Sequence, residues 1–280
     1  MRGSKHTNTS ERNDRMRLRL YQVLVLALLF SLWYVLTSPT LLPPIYFSEP
    51  NQAAFFFGEP LKVFARLWRW FVSGEIYEHL WVTLVETLLA FLIGTISGVI
   101  VGLWLALAPA ASVVLDPYIK AINAMPRVIL APIFFVWFGL DVASKVALGV
   151  TLVFFIVFFN VYQGVREVSP VVLANARMLG ASRRQLLRHV YVPSAMSWVF
   201  ASLHNSVGLA FVGAVVGEYL GSARGVGYLI HQAEGFFDMN TVVAGILLLT
   251  AFALFLDWVV GLAEKRLMVW QPRSGETERV

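Results

Sequence analysis

Residues 169–193 read SPVVLANARMLGASRRQLLRHVYVP and form a basic, helix-forming segment between two long apolar runs. We call this segment the basic loop. A membrane protein that keeps such a segment outside the bilayer presents it to the aqueous phase, where it can contact another protein. The basic loop therefore separates the apolar runs on either side of it into two membrane spans.

Capping signals divide the basic loop into two short helices. Ser169-Pro170 is typical of an N-cap followed by proline at the first helical position. Residues Ser182-Arg183-Arg184-Gln185 form a capping box that starts a second helix. We expect Gly180 to form the bend between the two helices, and Pro193 to end the second one before the next span begins.

Composition identifies an integral membrane protein. Of the 280 residues, 58% are hydrophobic and 14% charged, with a mean hydropathy of +0.69, whereas soluble domains carry about 25% charged residues. The chain has no cysteine, which excludes disulfides and thiolate metal sites. The net charge of +5 is explained by basic residues between apolar runs, so we expect no nucleic-acid partner.

Six segments are apolar enough to cross a bilayer, and together they predict an all-α, six-helix transmembrane bundle. They are residues 19–37, 80–108, 121–139, 144–163, 195–220 and 241–262. The first follows a basic tail as a signal peptide would. However, its apolar run from Leu20 to Leu36 is longer than a signal h-region, and no Ala-x-Ala site follows. We therefore expect it to be retained.

The third span contains Pro126 and Pro132, and proline removes a helical hydrogen bond. We expect a kinked or broken helix here. Such a break is tolerated where it faces protein or a water-filled cavity, which makes the two prolines candidates for the translocation path. A kink with only a packing role is the alternative.

Lys and Arg set the orientation. With both termini on the inner side, 17 of the 22 Lys and Arg residues fall in inner segments, including the basic loop. The positive-inside rule then places both termini and the basic loop in the cytoplasm. The expected location is a bacterial inner membrane.

We divide the chain into residues 1–79 (tail, first span and outer segment), 80–264 (transmembrane core) and 265–280 (tail). The outer segment starts with Pro39, Pro43 and Pro44 and continues as EPLKVFARLWRWF over residues 59–71. Its apolar residues recur at helical spacing, with Lys and Arg between them. This predicts an amphipathic helix on the outer membrane face, anchored by Trp68 and Trp70. Contact with lipid is favoured over contact with an outer protein.

Two spans carry small residues four apart. These are Ala90, Gly94, Gly98, Gly102 and Ala106 in the second span, and Ala201, Asn205, Gly213, Gly217 and Gly221 in the fifth. Small residues let helices approach closely in lipid. We expect these glycines to pack helices, with sliding between the helices as the functional alternative.

Several polar residues lie within or near the spans. Glu86 and Asp257 lie close to predicted span ends, where snorkelling or interfacial pairing would satisfy them. His204 and Asn205 lie deeper, and either line the path or bond between helices. Glu218 precedes the run GSARGVG at 221–227 and could pair with Arg224, form an outer gate, or contact a docking protein.

No catalytic or nucleotide-binding motif is present in the sequence. It lacks HExxH, GxSxG and the phosphate-binding GxxxxGK[ST] pattern. We therefore expect a non-enzymatic chain that binds no cofactor itself. If ATP drives it, another subunit supplies the ATPase.

The basic loop resembles the EAA loop of membrane subunits of ATP-binding-cassette importers. Ala174-Asn175-Ala176 takes the Glu-Ala-Ala places, Gly180 the glycine, and Val190, Val192 and Pro193 the Ile, Leu and Pro places. Ala174 stands where the family has glutamate. The segments Asn123–Arg127, Pro132 with Trp137–Gly139, and Val216–Gly221 with Gly225 and Gly227 are similar to permeases of the nitrate, sulfonate, taurine and bicarbonate branch.

This resemblance implies a binding-protein-dependent permease that pairs with a second copy of itself and carries a small solute, such as an organic or inorganic anion. It also implies a separate solute-binding protein outside and P-loop ATPase subunits inside. The residues implied in ATPase coupling are Ala174, Ala176, Gly180, Ala181, Arg183, Arg184 and Pro193. An ion-gradient-driven secondary transporter or channel is the competing class. It would show an inverted repeat and paired ionisable groups near the midplane. A membrane enzyme is a third.

Overall fold

The computed structural model describes residues 4–38 and 52–267, and throughout these ranges the regular elements are helices. The α-helices are α1 (Ser4–Thr37), α2 (Gln52–Phe57), α3 (Pro60–Ser73), α4 (Glu75–Leu107), α5 (Pro109–Ala124), α6 (Ala131–Phe138), α7 (Val142–Arg166), α8 (Pro170–Met178), α9 (Arg183–Leu186), α10 (Val192–Leu220), α11 (Val226–Gly235) and α12 (Met239–Leu267). A 3₁₀ turn covers Arg127–Leu130, and a π-helix covers Leu187–Tyr191.

Within the described ranges, five helical segments are long and apolar enough to cross a membrane: Met16–Thr37, Glu75–Leu107, Val142–Arg166, Arg183–Leu220 and Met239–Glu264. They confirm five of the six predicted spans. The ends differ by up to five residues, except that the helix of the fifth predicted span begins at Arg183 and not at residue 195. Residues 268–280, most of the predicted C-terminal tail, lie outside the described ranges.

The third predicted span is a bent pair of helices. Pro109–Ala124 and Arg127–Phe138 meet at an angle of 86°. The predicted break is confirmed, but the predicted extent, residues 121–139, is wrong because α5 begins well before it. The break lies at Met125, whose backbone is extended because it precedes Pro126. Pro132 lies in the first turn of α6, where a missing N–H leaves no helical bond unmade.

The chain divides into two compact units. The first contains the described residues up to Val72 together with Ala233–Ala244. The second contains Ser73–Gln232 and the described residues from Gly245 onward. The second unit therefore holds α4, α7, α10 and the basic loop.

In the second unit, α7 packs closely against α4 through the small residues of the second span. A Cβ added at Gly94 would lie 2.7 Å from Val153 Cβ, and one at Gly98 would lie 2.9 Å from the carbonyl oxygen of Phe154. Gly102 meets the next turn of α7 in the same way. The row of small residues on α4 thus lets side chains and backbone of α7 approach closely. Such close approach favours helix association in lipid.

The row of small residues on α10 packs against other helices only in the C-terminal half of that helix. A Cβ at Gly213 would lie 2.5 Å from Gly149 Cα, and one at Gly217 would lie 2.8 Å from Lys145 Cγ. Gly221 contacts Phe135 of α6. Ala201 and Asn205, at the other end, are exposed. Helices α4 and α10 therefore both pack on α7.

In the first unit, α3 is the predicted amphipathic helix, while Pro39, Pro43 and Pro44 lie outside the described residues. Trp68 is 72% exposed, as a membrane anchor would be. The prediction for Trp70 is wrong, since it is only 3% exposed. Trp70 lies two turns from Val63 on the face that packs inward, so it stabilises the unit and does not reach lipid directly.

Candidate coupling loop and buried polar cluster

The basic loop folds as two short helices with a glycine bend, as predicted. Helix α8 ends where Gly180 adopts φ +80. The amide of Gly180 donates to the carbonyl of Arg177, and the amide of Ala181 donates to the carbonyl of Ala176. This pair of bonds is a Schellman motif, which places its left-handed residue at the position where glycine is favoured.

The capping box at the start of α9 is confirmed. The amide of Gln185 donates to Ser182 Oγ over 3.3 Å, and the amide of Ser182 donates to Gln185 Oε1 over 2.8 Å. Ser169 is the N-cap of α8, but its side chain makes no capping bond.

The prediction that Pro193 ends the second helix is wrong. The helix continues from Arg183 to Leu220, and Pro193 lies in the first turn of α10. The π-helix at Leu187–Tyr191 precedes the proline and widens the helical turn. A π-helical turn uses hydrogen bonds to the fifth preceding residue in place of the fourth. The helix can therefore pass through Pro193, which has no N–H to donate. The basic loop is therefore joined to α10 by continuous helix.

The tip of the basic loop exposes apolar side chains in the single chain. Met178 is 79% exposed and Leu179 is 89% exposed, next to the bend at Gly180. The coupling candidates Ala174, Gly180, Arg183, Arg184 and Pro193 are exposed, and Ala176 and Ala181 are half-buried. An open concavity behind the tip is lined by Ala176, Leu179, Gly180, Ala181, Gln185, Leu186, His189 and Val190. An exposed apolar tip flanked by arginines fits a protein partner better than water.

A second feature of this unit is a buried polar cluster, which comprises Thr83 and Glu86 of α4, Lys145 of α7 and Glu218 of α10. All four side chains are essentially inaccessible to solvent. The carboxyl groups of Glu86 and Glu218 lie close enough to interact with each other. Lys145 lies close enough to interact electrostatically with both. Opposite charges together lower the cost of placing ionisable groups at membrane depth.

Glu218 connects the buried polar cluster to the loop before α11. Its Oε1 accepts a hydrogen bond of 2.6 Å from Thr83 Oγ1, and its Oε2 accepts one of 2.7 Å from the amide of Gly227. The amide of Val226 donates to Thr83 Oγ1 over 3.2 Å. A Cβ at Gly225 would collide with the Glu218 carboxylate. The glycines of this loop therefore let the backbone lie directly on the buried carboxylate.

Three expectations about charged residues are corrected by this geometry. Glu86 does not snorkel, because it is 1% exposed and contacts Glu218. Arg224 pairs with Glu78 at 3.4 Å and not with Glu218. Lys145 is one of the five Lys and Arg residues that the predicted topology leaves in outer segments, but it is buried, and its Nζ donates to the carbonyl of Leu140 over 2.5 Å. Sequence reasoning missed Thr83 and Lys145; the signal available was that Lys145 begins a long apolar run.

The remaining path candidates lie apart from the buried polar cluster. His204 bonds between helices: Nδ1 lies 2.8 Å from Asp257 Oδ1 and Nε2 lies 2.7 Å from Glu264 Oε2, both on α12. This also gives Asp257 the pairing expected for it. Asn205, Pro126 and Pro132 are exposed in the single chain, whereas Glu218 is buried. Whether they line a path stays a prediction.

Comparison with known proteins decides the family. Residues 94–269 match the family described as the binding-protein-dependent transport system inner membrane component. The chain belongs to this family of permeases. The basic loop lies within the matched residues, and its role as an EAA loop stays a prediction.

The permease is similar to several transport permeases along most of their length. It is 32% identical to a Bacillus subtilis protein named as an aliphatic sulfonates transport permease, over 71% of this chain and 72% of that protein. It is 28% identical to the taurine transport system permease protein of Escherichia coli, over 88% and 87%. It is 33% identical to the riboflavin transport system permease protein of Chloroflexus aurantiacus, over 78% and 81%.

The fold of the permease also has a solved counterpart. An inward-facing structure of the MetNI methionine ABC transporter aligns with a TM-score of 0.57 and 18% identity, over 69% of this chain and 94% of that one. The family match and the relatives above, together with this shared fold, make the permease a multi-pass transmembrane subunit of an ATP-binding-cassette importer. Within residues 4–38 and 52–267, no group of three or more His, Cys, Asp or Glu side chains is placed to hold a metal ion.

Proposed function

We propose that this permease forms the path for a small organic solute carrying a sulfonate group. The support is chemical: two of the relatives above are named for aliphatic sulfonates and for taurine, and both solutes carry a sulfonate. In this assignment the chain supplies the path and the coupling, while solute recognition is shared with a separate binding protein. The chain itself carries out no catalysis.

The observation that carries the coupling role is the exposed tip of the basic loop. Leu179, 89% exposed, lies at the bend at Gly180, and only three residues separate it from the continuous helix Arg183–Leu220. A P-loop ATPase that grips this tip would move α10, because the capped bend is the only non-helical segment between them. ATP is bound and hydrolysed by that ATPase, and this chain binds no cofactor.

The assembly we propose contains two copies of this chain, two ATPase subunits on the cytoplasmic side and one solute-binding protein on the other side. Both termini lie in the cytoplasm of a bacterial cell with the complex in its inner membrane, as the distribution of Lys and Arg favours. Lipid surrounds the spans, and nucleic acid is not a partner.

The coupling role is tested by cross-linking. The chain contains no cysteine, so Leu179→Cys introduces a single thiol at the tip. A thiol-to-amine cross-linker should join this position to the ATPase in purified complex. Arg224→Cys is the control, because it is similarly exposed but follows the far end of the 29-residue α10, about 43 Å along the axis. Cross-linking of Arg224→Cys but not of Leu179→Cys to the ATPase would contradict the assignment.

The solute is tested by uptake into proteoliposomes that contain the complex and its binding protein. We expect uptake of taurine or an alkanesulfonate that requires internal ATP. Uptake that persists without ATP and follows an imposed proton gradient would instead indicate a secondary transporter. ATP-dependent uptake of a solute without an anionic group would overturn the sulfonate assignment and leave the coupling role intact.

A further inference from the structure

The turn between α11 and α12 exposes two phenylalanines in a strained backbone. Phe237 has φ +57, a left-handed conformation that is strained for a residue with a side chain. The amide of Phe237 donates to the carbonyl of Glu234, and the amide of Asp238 donates to the carbonyl of Ala233. This is again a Schellman motif, and glycine would be the favoured residue at position 237.

Burial within the chain does not offset this strain. Phe236 is 79% exposed and Phe237 is 68% exposed. Phe237 stacks only partly on Phe55 of α2, with ring centroids 6.3 Å apart. A bulky apolar residue kept exposed where glycine would be favoured indicates a contact with something outside the chain.

Asp238 holds the turn in place from both sides. Its Oδ1 accepts a bond from the amide of Thr241, as an N-cap of α12 does, and its Oδ2 accepts a bond of 2.8 Å from Arg66 Nη2 on α3. Burial disfavours the carboxylate, but the bonds from Thr241 and the charge of Arg66 outweigh it and hold the pKa of Asp238 below its usual value. Asn240 accepts a bond from the amide of Glu59. The turn and the start of α3 therefore form one rigid surface.

Helix α3 extends that surface with an exposed apolar stripe. Leu61, Phe64, Trp68, Phe71 and Val72 fall on one face at helical spacing, and each is exposed. Lys62, Arg66 and Arg69 form a basic stripe beside it, while Val63 and Trp70 pack inward. Apolar and basic stripes side by side are typical of helices that lie in the plane of a bilayer interface.

Contacts with α1 fix the depth of this surface. Phe64 packs on Phe30 with centroids 5.6 Å apart, and Trp33 Nε1 donates to the carbonyl of Phe57. Phe30 lies two turns before the end of α1 at Thr37, about 10 Å along the axis. The span Met16–Thr37 has 22 residues, about the thickness of the hydrocarbon core. Helix α3 therefore lies at the boundary of that core and not above it.

We propose that α3 and the Phe236–Phe237 turn form an interfacial surface whose partner is the lipid bilayer, with the aromatic rings in the upper acyl region and the basic stripe at the phosphates. The Phe236–Phe237 turn directly precedes the span that starts at Met239, so it lies at the same depth. The surface fixes the level of α1 and α12 relative to the headgroups. This inference does not depend on the transported solute or on the ATPase.

The experiment uses fluorescence quenching in proteoliposomes of phosphatidylethanolamine and phosphatidylglycerol. Phe236→Cys in the otherwise cysteine-free chain is labelled with the environment-sensitive dye NBD, and nitroxide lipids act as quenchers. We expect loss of most of the fluorescence with the nitroxide high on the acyl chain and less loss with it near the chain end. Arg224→Cys is the control and should lose little, since it is exposed and its neighbours Ser222, Ala223 and Gly225 are small and offer no aromatic anchor.

Two outcomes would overturn the proposal. One is quenching at Phe236→Cys no greater than at Arg224→Cys. The other is a change in NBD emission at Phe236→Cys only when solute-binding protein is added, which would assign the surface to that protein.

A further variant separates anchoring from folding. Phe237→Gly relieves the backbone strain, so the midpoint of thermal unfolding should not fall. Quenching of the label at Phe236→Cys should nevertheless decrease, because the remaining phenylalanine of the turn is gone. Unchanged quenching in this variant would contradict the anchoring role of Phe237.

Discussion

Gly180 and Phe237 occupy the same backbone position in two different turns. Both follow a helix as its left-handed residue in a Schellman motif. At Gly180 an added Cβ would meet no atom within 4 Å, so space does not explain the glycine. The positive φ does, since only glycine adopts it without strain. Gly180 therefore forms the bend of the basic loop without backbone strain. Phe237 places a side chain at the equivalent position of the other turn, and its backbone is strained as a result.

Gly180→Ala should therefore weaken coupling without affecting membrane insertion. We expect a local cost of about 1 kcal/mol, because alanine resists the left-handed conformation. The readouts are ATP-driven uptake and co-purification of the ATPase, both reduced. Gly235→Ala is the matched control, since that glycine also has open space around its Cβ but no positive φ. Gly180→Asn should restore much of the uptake, because asparagine tolerates this conformation.

At the scale of elements, the buried polar cluster joins α4, α10 and the loop before α11. Thr83 and Thr87 lie one turn apart on α4 and are both fully buried. The Thr83 hydroxyl bonds to Glu218 and to the amide of Val226, whereas the Thr87 hydroxyl bonds to the carbonyl of Thr83 in its own helix. Only Thr83 therefore connects separate elements.

Thr83→Val should destabilise the permease much more than Thr87→Val does. The first change leaves a buried carboxylate with one donor fewer, at a cost of about 1–3 kcal/mol. The second removes a bond within one helix, and we expect less than about 1 kcal/mol. Thermal unfolding of the purified complex measures the difference, and Thr83→Ser should restore the wild-type midpoint. Equal effects of the two valine variants would contradict the connecting role of Thr83.

The sequence predicted elements well where they depend on neighbouring residues, and poorly where they depend on contacts between residues far apart in the chain. The capping box at Ser182–Gln185 and the break at Pro126 depend on neighbouring residues, so the sequence contains them. Pro193 misled the prediction, because a π-helical turn absorbs a proline that would end a regular α-helix. The buried polar cluster could not be predicted, because its members come from helices about 60 to 130 residues apart in sequence, and apolar flanks alone do not show which charges meet.

At the scale of the whole molecule, one face of α10 has no partner among residues 4–38 and 52–267. Ala201, Asn205 and Gly208 are exposed along that face, and a Cβ at Gly208 would meet no atom within 4 Å. By contrast, the exposed residues of α4, such as Leu92, Ile96 and Ile100, are large and apolar and suit contact with lipid tails. Small and polar residues on an exposed face of a membrane helix favour contact with another helix.

We therefore expect two copies of the permease to meet across this face of α10. Asn205→Cys should form a covalent dimer with copper phenanthroline or a short bismaleimide, because the chain has no other thiol. Ile96→Cys is the matched control and should remain monomeric, since lipid covers that position. A denaturing gel of cross-linked membranes distinguishes the two. If Ile96→Cys cross-links while Asn205→Cys does not, the copies pair through α4, and the small face of α10 must be explained by the path alone.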